Sequence, residues 1–76
     1  MANEKDRARL LEELFEGVRN AAAAFYGAAG EHVEAMAEFR DPDGAPVVQA
    51  ARRERHALQE YNRSVRALSD SLALES

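Results

Sequence analysis

A short stretch of turn-forming residues lies between two long segments of helix-forming sequence, and it constrains the fold more than any other feature. The stretch runs from Asp41 to Pro46 and reads Asp-Pro-Asp-Gly-Ala-Pro. Pro42 has the φ angle that the second position of a type I turn requires, and its neighbours suit the other positions. Pro46 suits the first turn of a new helix, where a missing backbone N–H costs nothing. Because the connection is short, we expect the two helices to be antiparallel neighbours.

The predicted fold class is all-α: an antiparallel helical hairpin of two long helices in a single domain, residues 1–76. We expect the first helix to span about 4–40 with Asn3 as its N-cap, the turn to span 41–45, and the second helix to span about 46–73. The abundance of alanine, leucine, glutamate and arginine favours helix throughout. A chain this short forms one small domain at most.

Composition narrows the class of protein. The net charge of −4 argues against bulk attraction to nucleic acid or to an anionic membrane. The chain has no cysteine, which excludes disulfides, thiolate metal sites and a cysteine nucleophile. No apolar run approaches the roughly 20 residues that cross a bilayer, so we expect no membrane partner. The charged N-terminus leads into no apolar segment, so we expect no signal peptide and a cytoplasmic location.

Apolar positions in the first helix recur every seven residues, as in a coiled coil. They predict an inner seam that packs against the second helix. Small residues in one of its two columns would let that helix approach closely. The first column is Leu11, Val18, Phe25, His32 and Phe39, and the second is Leu14, Ala21, Ala28 and Ala35.

A further set of apolar residues runs along the first helix beside the inner seam, and we call it the second stripe. Its spacings of three, four and seven residues also define one face of a helix. A hairpin needs only one seam, so this helix is expected to contact more than one neighbour. The second stripe consists of Phe15, Ala22, Tyr26, Ala29, Val33 and Met36.

Three glycines interrupt the first helix at Gly17, Gly27 and Gly30. Each weakens a helix by about 1 kcal/mol relative to alanine. One interpretation is a continuous helix whose glycines allow close packing against another helix. The alternative is a break or hinge between Gly27 and Gly30. We expect the continuous helix, because tertiary packing usually overrides propensity.

The second helix has a narrower apolar seam than the first, and its other faces are polar and rich in arginine. A neighbouring column holds only small residues, and the last residues from Ala73 onward are expected to fray. The predicted seam columns are Ala51, Leu58, Val65, Leu72 and Val47, Glu54, Tyr61, Leu68, and the small column is Ala50, Ala57, Ser64, Ser71.

A hairpin that folds back about Asp43 brings together residues whose numbers add to about 86. This register places Phe25 near Tyr61 and His32 opposite Glu54. The last two are the only residues within the main runs of the two seams that can carry a charge near neutral pH. The predicted register places these two residues opposite each other, which supports the register.

The second stripe would remain exposed on a lone hairpin, and a two-helix molecule of this size has little core. The simplest cover is a second copy, which gives a two-fold dimer with a four-helix bundle. A different protein is the alternative cover. A compact single molecule that left Tyr26, Val33 and Met36 bare to water would argue against both.

His32 and Glu54 are also the best candidates for a metal site, because a dimer would bring two copies of each together. Di-metal bundles, however, use Glu-x-x-His pairs, and none occurs in this chain. A polar pair that fixes the register is the preferred interpretation. A metal-dependent bundle protein remains an alternative hypothesis, while the preferred interpretation requires no metal and no cofactor.

An arginine-rich face of the second helix points away from the inner seam and offers a surface for RNA phosphates or an acidic protein. The architecture is similar to that of the small hairpin dimers that bind RNA in plasmid copy-number control, although the chain shares no motif with them. The preferred interpretation is that these arginines pair with the acidic first helix, for example with Glu31, Glu34 and Glu38 of a neighbour, or keep the surface soluble. The candidate basic face comprises Arg52, His56, Gln59, Arg63 and Arg66, flanked by Arg53 and Arg55.

No arrangement of residues in the sequence indicates catalysis. Ser64, Ser69 and Ser71 have no histidine at a matching spacing, and no glycine-rich phosphate loop follows a strand. We therefore expect a small non-enzymatic interaction or assembly protein, such as an adaptor or small chaperone, that acts as a homodimer. The alternatives are a nucleic-acid-binding hairpin dimer that uses the Arg52–Arg66 face and the metal-dependent bundle.

Overall fold

The computed structural model describes residues 4–74 and shows two α-helices that pack lengthwise against each other. The first helix, α1, spans Glu4–Phe39, and the second, α2, spans Ala45–Ala73. The described part of the chain contains no strand. The all-helical hairpin is therefore confirmed. The predicted N-cap, Asn3, lies outside the described residues.

The turn between the helices is held by Asp41 and closes as predicted. The backbone N–H of Gly44 donates to the Asp41 carbonyl at 3.0 Å, which is the hydrogen bond of a four-residue turn. The backbone N–H of Asp43 donates to Asp41 Oδ1 at 3.1 Å, so the aspartate side chain supports the same bend. Gly44 is the N-cap residue of α2, and the first turn of that helix includes Pro46.

The first helix ends at Phe39, because Arg40 adopts a left-handed conformation with φ 50°. Its backbone N–H still donates to the Met36 carbonyl at 3.2 Å, as in the helix ending that usually carries glycine at this position. Nothing in the sequence indicated this left-handed residue, because arginine rarely adopts positive φ.

The first helix is continuous through Gly27 and Gly30, so the hinge alternative is wrong. The expected reason for the glycines is not found within the hairpin either. A Cβ atom added at Gly17, Gly27 or Gly30 would have no neighbour within 4 Å. No close helix contact in the described hairpin therefore requires glycine at these positions.

The molecule is long and thin, with principal extents of 57 × 15 × 15 Å. Among the described residues, only Val47 and Ala50 are buried, at 4% and 5% exposure, and both belong to α2. The first helix has no buried residue. A single hairpin therefore forms a continuous contact between helices and leaves almost no core. Within residues 4–74, neither helix combines the length and the apolar character that a membrane crossing needs.

Candidate interaction surface

The inner seam of α1 lies against α2 as the seven-residue pattern predicts. Both of its columns are half-buried from Leu11 to Ala35, whereas the residues on the outer side of the helix are exposed. The seam ends before Phe39, which is 46% exposed beside the turn. The period of the apolar residues alone therefore located the contacting face of this helix.

The register of the hairpin is the one that the sequence predicts. His32 Nδ1 lies 2.7 Å from Glu54 Oε2, and the two residue numbers add to 86. About two helical turns further from the turn region than His32, the rings of Phe25 and Tyr61 stack with their centroids 6.3 Å apart, and their numbers also add to 86. Two independent contacts thus fix the same alignment.

The seam of α2 differs from the prediction in one of its two columns. The column from Val47 to Leu68 faces α1, but the more buried column beside it is the small one that begins at buried Ala50. Leu58 and Leu72, which were expected in the seam, are 38% and 44% exposed. The physical reason is size: two helices approach most closely where both present alanine or serine, and the bulkier column is left on the open side.

All four large side chains of the second stripe of α1 are exposed. Tyr26 is 73% exposed, Val33 60%, Phe15 49% and Met36 45%, while the two alanines between them are half-buried. The returning helix leaves close to half or more of each of these four side chains exposed. The surplus of apolar surface that the sequence indicates is therefore present in the structure.

The displaced column of α2 lies on the same side of the hairpin as the second stripe. One surface depression is lined by Met36 together with Val48 and Ala51, and a second is lined by Phe25 together with Ala51 and Leu58. Because a seven-residue spacing keeps a column on one side of a coiled pair, the rest of each column follows. We call this combined surface the apolar face; it consists of the second stripe plus Ala51, Leu58, Val65 and Leu72.

Exposure of Tyr26, Val33 and Met36 would count against a binding role in a compact molecule, but the hairpin is not compact. The largest side chains of both helices lie at its surface, and no large side chain among the described residues is fully buried. A contiguous apolar surface on so thin a molecule is typical of an interface. The sequence did not reveal the contribution of α2, although the small column at Ala50, Ala57, Ser64 and Ser71 was the available signal.

The His32–Glu54 pair opens toward the apolar face and is the only polar contact between the two seams in the described chain. The two side chains are 21% and 30% exposed, so water still reaches both of them. Each seam contributes one member of the pair. This favours a role in fixing the alignment of the two helices over a role in metal binding or catalysis. Within residues 4–74, no group of three or more His, Asp or Glu side chains is arranged to hold a metal ion.

Replacing both members of this pair with leucine should stabilise the hairpin, whereas replacing one should weaken it. Glu54→Leu leaves the half-buried imidazole without its acceptor and should lower the free energy of unfolding by about 1 kcal/mol. His32→Leu with Glu54→Leu should raise it by about 1 kcal/mol, because the desolvation cost of the pair disappears. Chemical unfolding of the wild type, both single variants and the double variant measures these changes.

The same double variant should lose register specificity, seen as more than one set of backbone amide peaks by NMR. A double variant less stable than both single variants would show that the pair stabilises the fold directly.

The candidate basic face is exposed and points away from the inner seam. Arg53 reaches Glu31 of α1 at 4.0 Å, and Arg63 contacts Glu60 of its own helix at 3.4 Å. Arg52, Arg55 and Arg66 form no ion pair with any other described residue. The expected pairing with the acidic first helix is thus realised for one arginine of the group.

Comparison with known proteins gives no relative. No protein-family model matches the chain, and neither a curated protein nor a solved structure is significantly similar to it. The hairpin and its surfaces are therefore the features from which a function can be inferred.

Proposed function

We propose that this protein is a small non-enzymatic interaction or assembly module, an adaptor or small chaperone, that acts through a homodimeric four-helix bundle. The observation that supports the proposal is the exposure of the apolar face. Tyr26 and Val33, at 73% and 60% exposure, lie at least six residues inside the ends of α1. Fraying or missing chain ends therefore do not account for their exposure.

A second copy of the hairpin is the partner that best fits this surface. The side of the hairpin measures 57 by 15 Å, which is close to the roughly 800 Å² that each partner buries in a standard interface. Covering one hairpin face with another converts two thin layers into a bundle with an interior. Each half-exposed large side chain that is covered contributes about 1 kcal/mol, and every contribution occurs twice in a symmetric dimer.

The dimer leaves a charged outer surface on which further recognition would occur. Glutamates project from α1 and arginines from α2: the side chains of Glu16 and Glu31 are 60% and 63% exposed, and those of Arg53 and Arg63 are 67% and 77% exposed. The apolar face thus serves self-association, and the outer surface serves the client or partner. This division is what an adaptor built on a helical bundle requires.

Nucleic acid is the less supported partner for the outer surface. Arg52, Arg55 and Arg66 are unpaired among the described residues and would be free for phosphates. The chain nevertheless carries a net charge of −4, and the basic face contains no aromatic residue on which a base could stack.

Self-association is tested by the mass and the thermal stability of the purified protein at several concentrations. Sedimentation at micromolar concentration should give twice the chain mass of 8.4 kDa. The unfolding temperature should rise with protein concentration, because unfolding is coupled to dissociation. A cooperatively folded monomer whose unfolding temperature is independent of concentration would exclude the proposal.

A further inference from the structure

Two hairpins can stack face to face about a two-fold axis in only two ways. An axis parallel to the helices places both turns at the same end, and α1 of each copy then lies over α2 of its partner. An axis across the helices places the turns at opposite ends, and each helix then lies over its own counterpart. This inference rests on the homodimer proposed above. The charges and sizes of the side chains on the two helices indicate which of the two arrangements forms.

We propose that the copies associate with both turns at the same end, so that α1 of each protomer packs on α2 of the other through the apolar face. The charges of the helices support this arrangement. Within Glu4–Phe39 there are four basic and eight acidic side chains, a net charge of −4. Within Ala45–Ala73 there are five basic and three acidic side chains, a net charge of +2.

The same-end arrangement therefore places an acidic helix over a basic helix twice. The opposite-end arrangement places the acidic helix over its own copy and the basic helix over its own copy. Individual surface ion pairs are weak, but the charge pattern across an interface selects orientation and suppresses the wrong partner arrangement. Arg55 and Arg66 illustrate the difference, because stacking α2 on its own copy would bring these unpaired cations toward one another.

The sizes of the apolar side chains agree with the charges. In the register of the hairpin, four of the six residues of the second stripe lie within one residue of the height of a column member on α2. A same-end dimer preserves these heights across the interface and places small side chains opposite larger ones in three of four layers. The layers are Phe15 with Leu72, Ala22 with Val65, Ala29 with Leu58, and Met36 with Ala51.

The opposite-end arrangement produces poorer layers. With the two apolar faces centred on each other, Ala22 of one copy lies over Ala29 of the other, and the two exposed Tyr26 side chains meet between these small pairs. The bulky column of α2 lies over itself in the neighbouring row, where Leu58 meets Val65. Layers of only small or only large side chains favour voids and crowding, and both cost stability.

The absence of cysteine from the chain allows a direct test with single spin labels. Asp43→Cys in the exposed turn carries the label at one end of the molecule, and Lys5→Cys carries it at the other. Pulsed electron–electron double resonance on each full-length labelled protein measures the distance between the spin labels of the two copies. Ala23→Cys, an exposed position near the middle of α1, is the matched control, because its label pair lies within about 30 Å in either arrangement.

The same-end dimer predicts label distances below about 25 Å at Asp43, since neighbouring helices in a bundle are 8–10 Å apart. It predicts similarly short distances at Lys5. Distances near 50 Å at both ends, approaching the 57 Å length of the hairpin, would overturn the proposed orientation and leave the dimer intact. The absence of any dipolar signal at all three positions would instead refute self-association. Using both ends keeps the test decisive if one labelled variant does not fold.

Discussion

A protein carrying Tyr26→Asp and Val33→Asp is expected to be monomeric at concentrations where the wild type is dimeric. These are the two most exposed members of the second stripe, so the substitutions change the hairpin itself very little. In a symmetric dimer they place four carboxylates in an apolar interface. Burying unpaired charges costs several kcal/mol, which corresponds to at least a thousandfold weaker association. Sedimentation over a range of concentrations measures the change.

The matched control places the same number of new charges on the other side of the hairpin. Ala24 and Ala67 are both exposed, and neither belongs to the apolar face. Ala24→Asp with Ala67→Asp should dimerise within a few-fold of the wild type. If the control dissociates as readily as Tyr26→Asp with Val33→Asp, added charge itself is responsible and the apolar face is not the interface.

Replacing Gly17, Gly27 and Gly30 with alanine is expected to stabilise the protein by roughly 3 kcal/mol. Glycine in a helix interior costs about 1 kcal/mol relative to alanine, mainly through the entropy of the unfolded chain. The three positions lie inside a continuous helix, and an added methyl group meets nothing within 4 Å. For a domain of this length the gain is a large part of its total stability. Urea unfolding of the triple variant at a fixed protein concentration measures it.

The reverse substitution at three exposed alanines of the same helix provides the control. Ala23→Gly, Ala24→Gly and Ala37→Gly together should lower the stability by a similar amount. A triple alanine variant that is less stable than the wild type, or that no longer dimerises, would show that a glycine surface contacts the partner copy. In that case the glycines are needed for assembly and not for the hairpin.

The register of the hairpin was predictable because few residues determine it. Asp41 to Pro46 supplied the reversal, and the seven-residue columns supplied the contacting faces. The single polar member of each column then selected one alignment, which the 2.7 Å contact between His32 and Glu54 confirms. An unpaired polar group in either seam would have been costly, so alternative alignments were excluded.

The candidate surface was predictable only in its α1 half. Tyr26, Val33 and Met36 lie on a stripe that no single contact with α2 covers, and helical periodicity alone shows this. The α2 half was assigned to the seam, because leucine and valine at seven-residue spacing are the usual seam residues. Their exposure in the structure enlarges the apolar face from one helix to two.

The sequence by itself determined two helices, their boundaries to within a residue or so, their antiparallel packing and their register. These properties follow from local propensity, turn chemistry and the spacing of apolar residues along one chain. Only the tertiary structure decided which flank of the Val47–Leu68 column faces α1 and that Arg40 ends α1 with a positive φ. The columns that begin at Ala50 and at Ala51 lie on opposite sides of the Val47–Leu68 column, three and four residues after it. Both spacings are compatible with a helical seam, so the spacing alone does not show which column faces α1. The choice follows from how closely two backbones approach, which depends on the side chains of both helices together.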